Sequence, residues 1–130
     1  MVLEMLKKKL GIEAIERDWC WFIIDRFKTP STLVIPEGCK RIGCHAFSGY
    51  KELRNVVIPE SMKLIENSAF CGCYKLEEVI IPKSVEAIGN YAFDRCKEAV
   101  IILRKPKSEF RYIGLFSFDG CRDVKEEVRN

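Results

Sequence analysis

Apolar residues recur at a fixed spacing through most of the chain. Three stretches align without gaps, beginning at Ile35, Ile58 and Ile81, so the repeat has a period of 23. Each stretch carries a proline, an isoleucine, an Ala-Phe pair and a further apolar residue in the same columns. The columns are Pro36, Pro59 and Pro82; Ile42, Ile65 and Ile88; Ala46-Phe47, Ala69-Phe70 and Ala92-Phe93; and Leu53, Leu76 and Ala99. Because one coil of this length cannot bury its apolar face alone, the pattern predicts a repeat solenoid in which successive coils stack.

A fourth, degenerate copy follows the three regular ones. Pro106 follows Pro82 at one residue more than the regular period, and Ile113 follows Ile88 at two more, which indicates two residues inserted on the loop side. Beyond the insertion, these residues keep the internal spacing of the earlier copies: Phe110, Ile113, Ser117-Phe118, Cys121 and Val124. We therefore predict a short stack of about four β-rich coils with parallel strands.

Within each copy, the spacing predicts two short strands and a tight turn. The segment from Leu53 to Pro59 has apolar residues at its first, fourth and sixth positions, and proline ends it because proline cannot donate to a β-ladder. We expect a second strand to end at the isoleucine column, for example from Met62 to Ile65. The Ala-Phe pair follows in the turn. Alanine allows the backbone to approach closely there, and we expect the phenylalanines of successive coils to stack in a single file.

The residues before the repeats show helical spacing instead. Five large apolar residues recur at helical intervals: Ile15, Trp19, Phe22, Ile23 and Phe27. With charged residues between them, this spacing predicts an amphipathic α-helix over residues 12–28, and a shorter helix is predicted over residues 2–9. Such helices would cover the open apolar end of the first coil. We therefore assign residues 1–29 to an N-terminal helical cap, 30–125 to the repeats and 126–130 to a C-terminal tail.

The repeated motif I-P-x-x-V-x-x-I-G-x-x-A-F-x-x-C-x-x-L-x-x-V resembles the BspA-type leucine-rich repeat over residues 31 to about 125. The resemblance implies a right-handed solenoid of stacked parallel strands. It also implies membership of a family of mostly surface or interaction proteins, several of them adhesins, and it implies no catalytic activity. The copies depart from the family pattern at Tyr50, Glu66 and Ala99, which stand in the cysteine, glycine and leucine columns.

The composition fits one folded domain. The 130 residues are 48% apolar and carry a net charge of only +3, which argues against a disordered chain. The longest apolar run, from Trp19 to Ile24, has six residues, whereas a membrane-spanning helix needs about twenty. We therefore expect no membrane insertion.

The number of cysteines gives an expectation for the cellular compartment of the protein. There are seven, an odd number, and the segment after Met1 lacks the apolar core of an export signal. If the chain is complete, this combination predicts free thiols and a reducing, cytoplasmic location; a fragment of a longer protein would instead be a surface or secreted protein. Cys73, Cys96 and Cys121 share one repeat column, so we predict a stacked ladder of buried thiols.

Few residues offer catalytic chemistry. His45, the only histidine, shares a column with Ser68 and Tyr91 just before the buried alanine, which predicts a solvent-facing turn. A general base paired with Cys44 or Cys71 would lack an obvious carboxylate to orient it. A zinc site from Cys39, Cys44, His45 and Cys71 would lack a CxxC pair, and its residues fall on different sides of the coil. We therefore expect no enzyme activity, catalytic residue, metal or cofactor.

The basic residues do not form a dense stripe. Lys40, Lys63 and Arg111 share one repeat column, but Glu86 interrupts it. A phosphate-binding track needs a denser row of positive charge, so we expect no nucleic-acid partner.

The outward-facing strand positions are unusually apolar. If the first, fourth and sixth positions of the strand motif point inward, the fifth points outward, and that column contains Val34, Val57, Ile80 and Leu103. Val100 and Ile101 widen the column where earlier coils carry Arg54-Asn55 and Glu77-Glu78. Ordinary β propensity also explains aliphatic residues in strands. The alternative is an exposed ladder that contacts another protein.

We therefore predict a non-enzymatic protein-binding module. The apolar centre of its strand face would contain Val34, Val57, Ile80, Val100, Ile101 and Leu103. Arg54, Glu77 and Glu78 would form a polar rim that sets the orientation of a protein partner of unknown identity. The alternative function is self-assembly into a homodimer through the same face or through the open last coil.

Overall fold

The structure is a computed structural model that describes residues 12–14, 23–25 and 31–128. Its first two strands, β1 (Ile12–Ala14) and β2 (Ile23–Asp25), pair antiparallel. The α-helix predicted over residues 12–28 is therefore wrong where the structure describes it. β-Branched isoleucine favours extended backbone, and an apolar run this short fits strand and helix periodicity equally well. The helix predicted over residues 2–9 lies outside the described residues.

The repeats fold into short strands that alternate between two rows. Row A contains β3 (Thr32–Val34), β5 (Asn55–Val57), β7 (Glu78–Ile81), β9 (Val100–Leu103) and β11 (Asp123–Glu126). Row B contains β4 (Arg41–Ile42), β6 (Leu64–Ile65), β8 (Ala87–Ile88) and β10 (Tyr112–Ile113). Every strand pairing within these rows is parallel, which confirms a β-solenoid of about four coils.

The two rows differ in continuity. Row B is one sheet in the order β4-β6-β8-β10. Row A is divided into β3-β5 and β7-β9-β11, and the backbone N–H of Glu77 donates to the carbonyl of Arg54 at 2.8 Å across the division. In row B, Tyr112 pairs with Ala87, two residues beyond the regular period, which confirms the predicted insertion. A 3₁₀ turn, Lys107–Glu109, lies within the inserted copy.

A file of stacked phenylalanine rings occupies the centre of the solenoid. The ring centroids of Phe47 and Phe70 are 5.3 Å apart, those of Phe70 and Phe93 are 5.1 Å apart, and those of Phe93 and Phe118 are 6.1 Å apart. The predicted single file is confirmed. The isoleucine column of β4, β6 and β8 is fully buried beside it, so each coil supplies one wall of its neighbour's core.

The turn before each phenylalanine uses left-handed backbone. His45, Ser68, Tyr91 and Phe116 have φ values of 58°, 58°, 60° and 56°. Each of these residues precedes a buried small residue, and the close approach continues at Gly89. A Cβ atom on Gly89 would lie 2.5 Å from the backbone nitrogen of Asn67 in the preceding coil. The sequence therefore needs a small side chain wherever adjacent turns approach this closely.

We expect Phe70→Ala to destabilise the fold more than Phe118→Ala. Phe70 is fully buried between two rings, so its removal leaves a cavity and should cost about 3–5 kcal/mol. Phe118 is only half-buried at the end of the file, and we expect about half that loss. Guanidinium unfolding monitored by circular dichroism measures both free energies, and equal losses would contradict the lower burial of Phe118.

Candidate interaction surface

Row A presents an exposed aliphatic column on its outer side, which we name the strand face. Along β3, β5 and β7, burial alternates as expected for strands with one face on the core. Val34, Val57 and Ile80 point outward and are 58%, 52% and 39% exposed. The predicted outward orientation is confirmed for these three residues.

The strand register changes at β9. Ile80 pairs with Ile102, and Ile81 pairs with Leu103, one residue short of the regular period. A one-residue change moves each side chain to the other face of a strand. The exposed positions predicted for Ile101 and Leu103 are therefore wrong: both are fully buried in the core. Ile102 occupies the outward position instead, outside the core cluster, but is only 5% exposed.

The register change comes from a shorter connection between the cysteine column and the strand. Cys73 lies five residues before Glu78, and Cys96 lies four residues before Val100, the residue that pairs with Glu78. Cys121 lies only two residues before Asp123, which pairs with Val100. The connection between the cysteine column and the row A strand therefore becomes shorter from coil to coil, at the same edge of the solenoid. An open depression of about 550 Å³ lies at this edge. Its lining residues are Arg54, Lys75, Glu77, Glu78, Glu98, Val100 and Arg122.

The depression joins four of the predicted interface residues. Arg54, Glu77, Glu78 and Val100 all line it, and Val100 is half-buried while the other three are exposed. Sequence reasoning missed Lys75, Glu98 and Arg122. The shortening of the segment after the cysteine column was the signal that could have located them.

The charges around the depression are partly paired. Arg54 Nη1 lies 3.5 Å from Glu77 Oε2, and Lys75 Nζ lies 3.1 Å from Glu52 Oε2. Glu78, Glu98 and Arg122 form no ion pair with another residue that the structure describes. The strand face therefore offers two carboxylates and one guanidinium beside an apolar column.

The exposed apolar area is smaller than the sequence predicts. Three aliphatic side chains of the column are exposed rather than six, and they present roughly 200 Å², less than the roughly 300–600 Å² of the largest patch on a typical monomer. Recognition at the strand face would therefore depend on its charged residues as well as on its apolar ones.

The predicted cysteine ladder is present. Cys73 and Cys96 are buried and Cys121 is half-buried, and their thiols donate to the carbonyls of Phe47, Phe70 and Phe93 at 3.1, 3.0 and 3.2 Å. A hydrogen bond with the Cys73 side chain, together with burial, raises the pKa of Cys96. Burial raises the pKa of Cys121 to about 12. The thiols of Cys96 and Cys121 therefore resist ionisation, which opposes a nucleophilic role for these two residues.

The remaining described cysteines do not converge on a site. Cys39 is fully buried and disulfide-bonded, so the prediction of free thiols is wrong at this residue, whereas the other cysteines within residues 31–128 are free. Cys44 is exposed, whereas Cys71 is half-buried with its sulfur 3.9 Å from both Asp94 Oδ2 and Arg95 Nη2. Within residues 31–128, no group of three or more potential ligands is placed to hold a metal ion.

The other candidates lie on separate surfaces. His45 is exposed on the left-handed turn, as predicted. The column of Lys40, Lys63, Glu86 and Arg111 lies along row B, where Arg111 Nη2 is 4.0 Å from Glu86 Oε1. In the part of the chain that the structure describes, no helix has the length and apolarity that a bilayer crossing requires.

We expect Leu103→Asp to destabilise the fold far more than Ile80→Asp. Ile80 is exposed, so its substitution should change the free energy of unfolding by less than about 1 kcal/mol. Leu103 is fully buried, and an unpaired carboxylate there should cost more than about 4 kcal/mol. Thermal unfolding monitored by circular dichroism distinguishes them, and a similar loss in both variants would refute the register at β9.

We also expect the Cys121 thiol to make stability depend on alkaline pH. Its pKa rises from 9.0 in the reference state to about 12 in the folded protein, so the unfolded chain loses this proton first. The stabilisation that the protonated Cys121 thiol gives the folded state is complete below about pH 9 and is lost as the pH rises towards 12. Between about pH 8 and about pH 11, the free energy of unfolding measured with guanidinium should fall less for Cys121→Ala than for the unaltered chain. Equal falls in the two proteins would contradict the assignment.

The comparisons with known proteins agree on the fold. A leucine-rich repeat protein from Bacteroides ovatus is 32% identical, with a TM-score of 0.63, and the match covers 71% of this chain and 24% of that one. The pneumococcal vaccine antigen PcpA is 22% identical, with a TM-score of 0.62 and coverage of 81% and 26%. A leucine-rich cell surface protein from Faecalibacterium prausnitzii is 16% identical, with a TM-score of 0.57 and coverage of 89% and 38%.

This chain therefore spans well under half the length of each of these solved structures. No curated protein matches it. The family model for the BspA type leucine-rich repeat region matches residues 27–128 in six copies. Together with the parallel coils and the stacked phenylalanines, that match shows that the chain belongs to the BspA-type leucine-rich repeat family.

Proposed function

We propose that this chain is a non-enzymatic module that binds another protein through the strand face. The observation that carries the proposal is the exposed aliphatic column of Val34, Val57 and Ile80, which lies on the same strand row as the charged depression. An apolar centre with a polar rim is typical of protein interfaces. Ile101 and Leu103 have no part in this interface, because both belong to the core.

The charged rim would set the orientation of the partner. Glu78, Glu98 and Arg122 have no ion pair with described residues, so a partner with complementary charges could pair with them without breaking existing bonds. Arg54 and Glu77 already form a long, half-exposed pair that contributes little to stability and can rearrange. Such residues favour selectivity and association rate more than raw affinity.

A surface or secreted location agrees with this role better than the cytoplasmic one that the cysteine count suggested. One structural relative is described as a cell surface protein and another as a vaccine antigen. The disulfide at Cys39 is a feature of oxidising compartments. Since each of the matched solved chains is longer than this one, we propose that it acts as one segment of a surface-exposed repeat array.

Self-association is the second candidate function. The same exposed column, or the open last coil, would then contact a second copy. Sedimentation over a range of protein concentrations tests this candidate: a dimer in the unaltered chain that is absent from a strand-face variant would favour it over a foreign partner.

We expect the double substitution Val57→Asp and Ile80→Asp to abolish partner capture while the chain stays folded. Both side chains are exposed, so two carboxylates would oppose an apolar contact without entering the core. The measurement is affinity capture from a surface extract of the organism that encodes the chain, with each bait first shown to melt normally.

Val128→Asp is the matched control, because Val128 is 57% exposed and lies outside the column. A protein retained by the unaltered chain and by this control, but lost by the double variant, would support the proposal. An identical set of captured proteins for all three baits would exclude the strand face as the binding site.

A further inference from the structure

The charged depression beside the strand face is a gap left by one coil. Two consecutive positions carry Glu77-Glu78 in one coil and Arg122-Asp123 two coils later, whereas the coil between them carries Ala99-Val100. Ala99 is fully buried and Val100 is half-buried, so neither side chain fills the space between its neighbours. Strands of adjacent coils lie about 4.8 Å apart, which places the backbones of the two walls about 10 Å apart. The depression therefore has an apolar floor between charged walls.

Two carboxylates of the depression lack a cationic partner among the residues that the structure describes. Glu78 stands in one wall, and Glu98 lines the depression just before Ala99. Both are exposed, and neither forms an ion pair with a described residue. Each belongs to a coil that is hydrogen-bonded to a described coil on both sides. The missing partner therefore does not depend on where the chain ends.

The cations that line the depression do not cancel this negative charge. Arg54 and Lys75 already form ion pairs with neighbouring glutamates at 3.5 and 3.1 Å. Arg122 has no ion pair with a described residue, but it stands in the wall opposite Glu78. The uncompensated charge is therefore negative on the side of Glu78 and Glu98, and Arg122 would repel a cation placed against the opposite wall.

The strand face places an apolar contact at a fixed distance from these carboxylates. Ile80 is two residues after Glu78 on β7, so both side chains point outward, about 6.6 Å apart along the strand. Val57 extends the apolar contact onto the neighbouring coil and is 52% exposed. An extended partner segment has the same two-residue spacing between side chains on one of its faces. Such a segment can therefore place one charged and one apolar side chain on the strand face together.

A basic side chain is the group that suits the depression. Its charge pairs with the two carboxylates, and its aliphatic stem can lie on Val100, as the methylene groups of lysine and arginine commonly cover apolar surface. An acidic side chain would be repelled by Glu78 and Glu98, and an uncharged one would leave both carboxylates without a partner. The charge of the depression thus selects among the segments that the apolar column alone would accept.

We propose, resting on the strand-face function proposed above, that the partner presents an extended segment in which a basic residue lies two positions from an aliphatic one. The basic side chain would enter the depression and pair with Glu78 and Glu98. The aliphatic side chain would contact Val57 and Ile80. The proposal thus names the chemistry of the partner rather than the place where it binds.

The test begins with random nine-residue peptides displayed on phage and selected against the immobilised full chain. The enriched sequences should share a lysine or arginine two positions from an aliphatic residue. The leading sequence is then synthesised with a fluorescent label, and its affinity is measured by anisotropy. Raising the NaCl concentration from about 0.05 M to about 0.5 M should weaken its binding several-fold, because the pairing charges are solvent-accessible.

The double substitution Glu78→Gln and Glu98→Gln should weaken binding of this peptide roughly tenfold, because both charge pairs are lost. Glu60→Gln combined with Glu109→Gln is the matched control. These two glutamates are also exposed but do not line the depression, so the control changes the net charge equally and should bind as the unaltered chain does. All four positions are exposed, so each variant should melt as the unaltered chain does.

A third variant separates this proposal from the strand-face function. Val57→Ser combined with Ile80→Ser removes the apolar contact without adding charge and should also weaken binding roughly tenfold. Binding that is weakened in the serine variant but equal in both charge variants would overturn the basic side chain and leave the strand face as the site. Equal binding by all variants would overturn both proposals. Enrichment of acidic or uncharged sequences, or no enrichment, would overturn the basic segment alone.

Discussion

Every coil of this protein depends on its neighbour to cover an apolar face. The phenylalanine file shows this dependence most directly: Phe70 has a ring on both sides at 5.3 and 5.1 Å, and removing either neighbouring coil would expose it. Backbone hydrogen bonds between turns, such as Phe70 N–H to the Ala92 carbonyl at 2.8 Å, run along the same axis as this packing. The stacking of another coil therefore satisfies the backbone hydrogen bonds and buries the apolar side chains at the same time.

Much of this architecture could be predicted because the same sequence features recur in several repeats. The repeat period, the phenylalanine file and the thiol ladder each appear in at least three copies, so chance agreement at single positions does not matter. A feature that occurs only once in the chain could not be checked against other copies. The strands β1 and β2 replaced a predicted helix because a few isoleucines fit both periodicities, and the disulfide at Cys39 has no counterpart in the other repeats.

The candidate site was predicted only in part, for a related reason. Val34, Val57 and Ile80 were identified correctly because their copies keep the regular period. Leu103 was assigned to the same column by counting one full period onward from Ile80, but one residue is missing before the strand. Side chains alternate along a strand, so this single deletion exchanged the inward and outward sets and placed Ile102 where Leu103 was expected. The repeat can still be recognised after such a deletion, but the exposed position is then assigned to the wrong residue.

Beside the strand face, charged residues without a described partner lie next to a departure from the regular period. Where the spacing is regular, charges on adjacent coils neutralise each other, as in the pair of Glu52 and Lys75 at 3.1 Å. The column continues to Glu98, next to the shortened connection, and there the pairing stops among the described residues. The lengthened last copy places Leu115 and Phe116 in the columns that hold Asn90 and Tyr91 in the copy before it. The exposed aliphatic column of Val34, Val57 and Ile80 keeps the regular period, so the proposed strand face combines a repeated apolar feature with charges that lack a described partner only where the repeat loses a residue.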